Sequence, residues 1–230
     1  MKKIYLLLLV AISSNAFSAG VEGAWKAQDS GKEIILLFKD GYFTFTAYTP
    51  NTFLSAWGGT YKVEGNTINI VSEFNSADSS HVGNSHLFNL SINGKQLSFN
   101  VTGKPILYKR LDEGSAPLAG VWKISDREQG GQLVAIHQTG TRKTLKILTG
   151  TRFQWFAINP GTKEFSGTGG GMYSFMNGKY TENIGFFSRD NSRVGAELTF
   201  DGKLEDGKWH HSGLSSKGDK IYEVWTRVNP

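Results

Sequence analysis

An internal repeat is the feature that most constrains this 230-residue chain. Each half carries a Gly-x-Trp, a Phe, a Pro, a Gly-Gly pair with a Tyr shortly after it, a Val-Gly, an Asx-Gly-Lys and a closing aromatic-x-Arg, in the same order. From Phe43 to Gly94, the matching residue of the second half lies 110 to 113 positions later. A constant offset of this kind predicts two copies of one structural unit.

The boundaries of the two units follow from the repeat and from turn-forming residues between them. We expect a first unit over 20–112 and a second over 118–230, joined by the polar linker 113–117. The second half has 13 extra residues between its Trp and its first matched Phe, around Gln129 to Thr141. Glycines in this insertion favour a hairpin or loop over a helix.

Secondary structure is predicted to be all-β. Apolar and polar residues alternate in Phe43–Thr46, in Thr67–Val71 and in Ala196–Phe200, as in strands with one buried face. Asx-Gly pairs recur at short spacing and suit tight hairpin turns. Many short strands with tight turns favour two small antiparallel barrels, because closing a sheet leaves no exposed edge.

The first 19 residues have the composition of a secretory signal peptide. Lys2 and Lys3 precede an apolar run over 4–12, which is too short to span a bilayer, and Ala16-Phe17-Ser18 offers small residues for cleavage. We therefore expect a periplasmic or secreted protein. The chain has no cysteine, so disulfides are excluded, and no later segment suggests a transmembrane helix.

The charge balance does not favour a nucleic-acid partner. The net charge of +5 would fall to +3 if two of the 25 basic residues left with the signal. The densest basic stretch contains Arg142, Lys143, Lys146 and Arg152, and we interpret it as an ordinary solvated surface.

Both ends of each half resemble those of the lipocalin and calycin superfamily. In that superfamily a Gly-x-Trp on the first strand packs against an Arg on the last strand and closes one end of a barrel. The resemblance pairs Trp25 with Arg110 and Trp122 with Arg227 as structural residues. Stacking of a guanidinium on an indole is favourable, which agrees with such a pair.

The second half also resembles an uncharacterised lipocalin-like family of bacterial secreted proteins. The similar stretches are 151–155, 170–173, 180–182, 209–213 and 223–228. This resemblance implies a fold and carries no assigned chemistry.

Aromatic and polar residues of the second half suggest a ligand cavity for a small apolar or aromatic molecule. The candidate ligand-binding residues are Trp155, Tyr173, Tyr180, Glu182, Phe186, Trp209 and His211. A carboxylate buried at Glu182 would need a partner, for which His211 and Arg152 are the candidates.

No catalytic, metal or cofactor motif stands out. His210 and His211 are adjacent on a predicted strand and point to opposite faces, so they are poorly placed to chelate one metal. The glycine-rich run 167–171 lacks the Lys and the helix of a phosphate-binding loop.

Two other functions remain open, and so does the oligomeric state. A cell-surface structural or protein-interaction module with both barrels filled predicts an exposed apolar patch near the insertion. An isomerase or lyase with Glu182 as base predicts that Tyr180, Glu182 and His211 converge within hydrogen-bond reach in a pocket. Whether the protein is an enzyme is therefore undecided, with non-enzymatic ligand binding favoured.

Overall fold

The computed structural model describes residues 20–50, 52–101, 103–215 and 217–228. These residues form two closed, eight-stranded antiparallel β-barrels that follow one another along the chain. The predicted all-β tandem of barrels is therefore confirmed, whereas the predicted signal segment 1–19 lies outside the described residues. Within the described ranges, no helix has the length and apolar character needed to cross a bilayer.

The strands of the first barrel pair in sequence order, and the last closes onto the first. They are β1 (Gly23–Asp29), β2 (Lys32–Lys39), β3 (Tyr42–Thr49), β4 (Thr52–Glu64), β5 (Thr67–Asn75), β6 (Ser85–Asn93), β7 (Gln96–Phe99) and β8 (Ile106–Asp112).

The second barrel repeats this order with one addition. Its strands are β9 (Gly120–Gln129), β10 (Gln132–Ala135), β11 (Lys143–Leu148), β12 (Arg152–Asn159), β13 (Glu164–Met176), β14 (Lys179–Phe187), β15 (Glu197–Glu205), β16 (Lys208–Leu214) and β17 (Lys220–Arg227). β17 closes onto β9, and β10 is a ninth strand that pairs only with the far end of β9. The inserted segment therefore begins as a hairpin.

The two halves also share a capped 3₁₀ turn at equivalent positions. A single 3₁₀ turn follows β5 at Ser79–His81, and another follows β14 at Asn191–Arg193. Asp78 and Asp190 cap these turns by accepting a hydrogen bond from the backbone N–H two residues later.

One end of each barrel is covered by an arginine on a tryptophan. The guanidinium carbon of Arg110 lies 4.0 Å from the ring centroid of Trp25, and that of Arg227 lies 4.3 Å from Trp122. Each indole N–H also donates to a backbone carbonyl four residues earlier. The strand register makes the pair possible, because Trp25 lies opposite Arg110 and Trp122 lies opposite Arg227.

Apolar side chains fill the interior of the first barrel. Its fully buried large residues include Trp25, Leu36, Phe38, Phe43, Phe99 and Tyr108. At the end away from Trp25, a pocket of about 240 Å³ remains, lined by residues that include Trp57, His86 and Phe88.

The outer faces of the two barrels share an apolar core. Phe74 of the first barrel stacks on Phe156 of the second at a centroid distance of 4.9 Å. Phe186 crosses in the other direction and packs against Tyr48 at 5.2 Å.

A carboxylate at the end of β8 connects the barrels. Asp112 accepts hydrogen bonds from Gly114, Thr149, Gly150 and Thr151. Burial alone would raise the pKa of this carboxyl, but these hydrogen bonds outweigh burial and lower the pKa. The ionised carboxylate therefore holds the turn between β11 and β12 against the first barrel.

Candidate functional site

The second barrel contains a cavity of about 350 Å³ that opens away from the Trp122–Arg227 pair. Most of its wall is apolar: Trp155, Ile184, Phe187, Leu198, Phe200, Ile221 and Trp225. Four ionisable residues form its floor: Lys146, Glu182, His211 and Glu223. They project into the same cavity from four strands of the barrel: β11, β14, β16 and β17.

Lys146 and Glu182 form a buried ion pair. Lys146 Nζ donates to Glu182 Oε1 at 2.8 Å, and only 5% and 7% of the two side chains are exposed. Tyr180 donates its hydroxyl to the same oxygen at 2.9 Å. The ammonium also lies within 5.1–5.8 Å of the ring centroids of Phe153, Tyr180, Trp209 and Trp225. Aromatic faces and one carboxylate thus balance the buried positive charge.

Glu223 is the second buried carboxylate. It accepts hydrogen bonds from Arg127 at 2.7 Å and from the indole N–H of Trp225 at 3.2 Å. Burial alone would raise the pKa of Glu223, but the neighbouring His211 ring, Arg127 and Lys146 outweigh burial and lower the pKa to about 2. Lys146 pairs with Glu182 and the adjoining Arg127 pairs with Glu223, so these two cations and two carboxylates carry no net charge at neutral pH.

His211 lacks a hydrogen-bond partner. Neither ring nitrogen makes a hydrogen bond to any residue that the structure describes, although only 3% of the residue is exposed. The nearest carboxylate oxygen, Glu223 Oε2, lies 3.6 Å from Nδ1, beyond hydrogen-bond distance. Burial lowers the pKa of His211, so the imidazole is neutral at pH 7. A buried imidazole with two unused nitrogens is costly unless another molecule bonds to it.

The strand registers show which residues of the first barrel occupy the positions of the four floor residues. The equivalent residues are Leu36 for Lys146, Ile70 for Glu182, Phe99 for His211 and Ile106 for Glu223. The first barrel therefore has four apolar side chains where the second has four ionisable ones.

Six of the seven predicted ligand-binding residues lie inside the second barrel, in two layers, and the seventh lies outside it. Trp155, Glu182 and His211 line the cavity. Tyr180, Trp209 and Tyr173 lie beneath it in the core of the barrel, where Tyr173 donates its hydroxyl to the carbonyl of Thr149 at 2.7 Å. Contact of these residues with a ligand stays a prediction.

Phe186 is the exception, because its ring lies outside the second barrel and packs on Tyr48 and Phe53. Strict alternation from Glu182 would have placed it inside. A bulge at Gly185 shifts the pairing between Gly170 and Gly171, so the alternation changes phase. Phe187 consequently takes the interior position.

Three residues of the site were absent from the sequence-based candidates: Arg127, Lys146 and Glu223. The sequence predicts that the basic stretch is solvated surface, but Lys146 is only 4% exposed and lines the cavity of the barrel. It also replaces His211 and Arg152 as the partner of Glu182. The available signal was a single lysine inside the apolar run Leu145–Leu148, aligned with Leu36 in the first repeat.

The histidine pair behaves as strand geometry requires. His210 faces outward and shares a 2.8 Å hydrogen bond with the Tyr222 hydroxyl, whereas His211 faces the cavity. Among the described residues, no three His, Cys, Asp or Glu side chains are grouped so that they could hold a metal ion.

The arrangement only partly matches the one expected for an isomerase or lyase. Tyr180 and Glu182 are hydrogen bonded, but His211 bonds to neither of them. Glu182 Oε1 is also occupied by the ammonium of Lys146, which lies 2.8 Å away. The geometry provides a hydrogen-bonding group in an apolar pocket more directly than it provides a free base.

No protein-family model matches the chain, and no curated protein matches it in sequence. The fold therefore defines the protein as a tandem of two closed, eight-stranded antiparallel barrels.

Proposed function

We propose that the second barrel binds a small, mostly apolar and uncharged molecule, and that the first barrel is its packed structural partner. The observation that carries this proposal is the buried His211, which lines an apolar-walled cavity with both ring nitrogens unused. A cavity of about 350 Å³ is within the size range of small-molecule sites, roughly 300–1,000 Å³. The ligand is uncharged in this proposal because the nearby charges already neutralise one another.

A lipocalin-like identity and an exported location belong to the same proposal. The Trp–Arg stack in each half supports the first, and the composition of residues 1–19 supports the second. Expression of the full chain in a Gram-negative bacterium, fractionation of the cells and N-terminal sequencing test the location. A mature chain starting after Ser18 or Ala19 is expected, and retention of Met1 in the cytoplasm would contradict it.

The binding proposal is tested with 1-octanol, which combines an apolar chain with one uncharged hydroxyl. Trp155 and Trp225 line the cavity, so octanol should change tryptophan fluorescence in a saturable manner. His211→Phe introduces the residue that the first barrel has at this level, and it should weaken octanol binding about tenfold or more by removing the hydrogen bond and filling the space.

His210→Phe is the matched control, because the neighbouring His210 side chain lies on the outer face. It should leave octanol affinity unchanged. Equal loss in both variants, or saturable binding that survives His211→Phe, would contradict the proposed site.

A second candidate function, a protein-interaction module, is favoured by the exposed strand β10. Leu133 and Val134 are 52% and 38% exposed on this strand, close to the insertion where an apolar patch was predicted. The free side of β10 could pair with the β10 of a second copy of the chain. Sedimentation velocity of the wild type and of a Leu133→Lys, Val134→Lys variant tests this: concentration-dependent dimerisation should be lost in the variant. A wild type that stays monomeric excludes self-association through β10.

A further inference from the structure

A second cavity, of about 380 Å³, lies between the two barrels and outside both interiors. Strands β1, β2 and β3 of the first barrel form one wall, and β12, β13 and β14 of the second form the other. Its charged side chains are Lys26, Glu33 and Arg152. We call this cavity the inter-barrel cleft.

The interface that contains the cleft is pseudo-symmetric. Phe74 and Phe186 occupy the same position in the two repeats, opposite Gly58 and Gly170 respectively. Each ring reaches the equivalent phenylalanine of the other barrel: Phe74 packs on Phe165 with centroids 5.9 Å apart, and Phe186 packs on Phe53 at 6.4 Å. Each contact from the first barrel to the second therefore has an equivalent contact from the second barrel to the first, as in a two-fold interface between identical subunits. The cleft therefore has a counterpart on the other side of the interface.

The counterpart is closed by a polar cluster. The hydroxyl of Tyr42 donates to the carboxylate of Glu73, and Lys143 Nζ donates to Glu73 Oε1 at 2.7 Å. The ring of Tyr42 stacks on Phe156 with centroids 5.5 Å apart. The Glu73 carboxylate at the centre of this counterpart therefore accepts hydrogen bonds from the Tyr42 hydroxyl and the Lys143 ammonium.

The inter-barrel cleft lacks that central carboxylate. The strand registers place Arg152 at the position of Tyr42 and Gly185 at the position of Glu73. A Cβ added to Gly185 would meet no atom closer than 3.5 Å, the Cα of Gly171, so the space beside it is open. The backbone of Gly185 is not in the left-handed region, so its conformation does not require glycine.

The cleft also contains one unpaired cation. Glu33 is occupied by Lys26 at 2.6 Å and by the Tyr48 hydroxyl at 2.5 Å. The guanidinium of Arg152 donates only to its neighbour Thr151, and no carboxylate of the described residues lies within ion-pair distance of it, although Glu33 is near enough to interact with it electrostatically. Ile35, Leu37 and Phe186 supply apolar walls beside it.

We propose that the inter-barrel cleft binds a small monocarboxylate with an apolar body. Its carboxylate would take the place that the Glu73 carboxylate holds on the closed side, facing Arg152, and its apolar part would cover Ile35, Leu37 and Phe186. A guanidinium matches the planar carboxylate with two parallel hydrogen bonds. One unpaired cation balances a single negative charge, so a monoanion fits better than a phosphate dianion.

The test uses sodium octanoate as the probe and isothermal titration calorimetry as the readout. Arg152→Gln should weaken octanoate binding about tenfold or more. Gly185→Glu should do the same, because it supplies the missing carboxylate from the chain itself. Arg142→Gln removes the same charge from an exposed position outside the cleft and should leave the affinity unchanged.

The location is read independently from the side-chain amide NMR signals of Asn183 and Gln154, which line the cleft. Octanoate should shift them in the wild type and in His211→Phe, which separates this site from the octanol site of the second barrel. No octanoate binding by the wild type, unchanged binding in Arg152→Gln and Gly185→Glu, or shifts confined to the barrel cavity would each overturn the proposal. Unchanged octanol binding in the two cleft variants would show that they are folded.

Discussion

The two barrels have the same strand order and the same Trp–Arg stack, yet they differ at one level of their interiors. Where the first barrel packs Leu36, Ile70, Phe99 and Ile106, the second has Lys146, Glu182, His211 and Glu223. The fold is thus specified by alternation and turns, which both halves share. The chemistry of the interior is set by a few positions that the fold does not constrain.

The comparison also shows how the second barrel tolerates its charges. Lys146 is surrounded by a carboxylate and four aromatic rings, and Glu223 is held by Arg127 and an indole N–H. Each charge needs its partner, because an isolated buried ion is far more costly than an apolar side chain. His211 lies 3.6 Å from Glu223 Oε2 but makes no hydrogen bond to a described residue, which distinguishes it from the rest of the layer.

The largest expected effect comes from moving one charge into the first barrel. Leu36→Lys places an ammonium at the position equivalent to Lys146. Ile70 occupies the position equivalent to Glu182, so no carboxylate is available to pair with this ammonium. We expect a loss of unfolding free energy on the order of 5 kcal/mol, measured by urea denaturation. A loss below about 1 kcal/mol would mean that the first barrel is not packed as described.

The next effect comes from breaking the ion pair of the second barrel. Lys146→Met leaves the Glu182 carboxylate buried without its cation and should cost about 3–5 kcal/mol. The double variant Lys146→Leu, Glu182→Ile copies the first barrel and should be no less stable than the wild type, because neither charge remains.

Lys179→Met is the control for that prediction. It breaks the pair with Asp201, whose side chains are 59% and 69% exposed, and should change stability by less than about 1 kcal/mol. A double variant as unstable as Lys146→Met would contradict the equivalence of the two barrels at this level.

A smaller effect is expected from uncoupling the barrels. Asp112→Ala removes the hydrogen bonds to Thr149, Gly150 and Thr151 and should cost about 2 kcal/mol at pH 7. Because folding lowers the pKa of Asp112, the wild type should lose this advantage as pH falls below about 4, the unfolded value. Urea unfolding of both proteins at pH 7 and pH 3 measures the difference, and a constant difference would contradict the assignment.

The smallest effect concerns the charge state of His211. Folding lowers its pKa, so the unfolded chain binds a proton more readily and stability falls as pH drops below about 6.5. Between pH 7.5 and 5.5 the wild type should lose about 1 kcal/mol more than His211→Phe. Chemical denaturation at the two pH values tests this; parallel losses would show that folding leaves the pKa of His211 unchanged.

The fold could be predicted from sequence because it depends on local signals present twice. Asx-Gly turns, alternation in strands and the paired Trp and Arg positions each survive in both repeats. The interior of the site was harder to predict. Lys146 belongs to a basic stretch that is typical of a solvated surface, and its register opposite Trp122 and Trp155 places it inside the barrel.

The prediction that Phe186 lines the cavity was wrong for a different physical reason. Alternation predicts the face of a residue only while the ladder is regular, and the bulge at Gly185 reverses it for the residues that follow. A sequence shows the glycine without showing whether the partner strand skips a residue there. The aromatic ring therefore belongs to the barrel interface instead of the cavity.

The most direct test of the account is the ¹⁵N chemical shift of the His211 imidazole, measured without and with saturating 1-octanol. We predict a neutral ring at pH 7 in which one nitrogen shifts when octanol binds, while the ring nitrogens of His81 and His86 in the first barrel stay unchanged. Saturable octanol binding with an unshifted His211, or with shifts at His86, would place the ligand elsewhere and contradict the account.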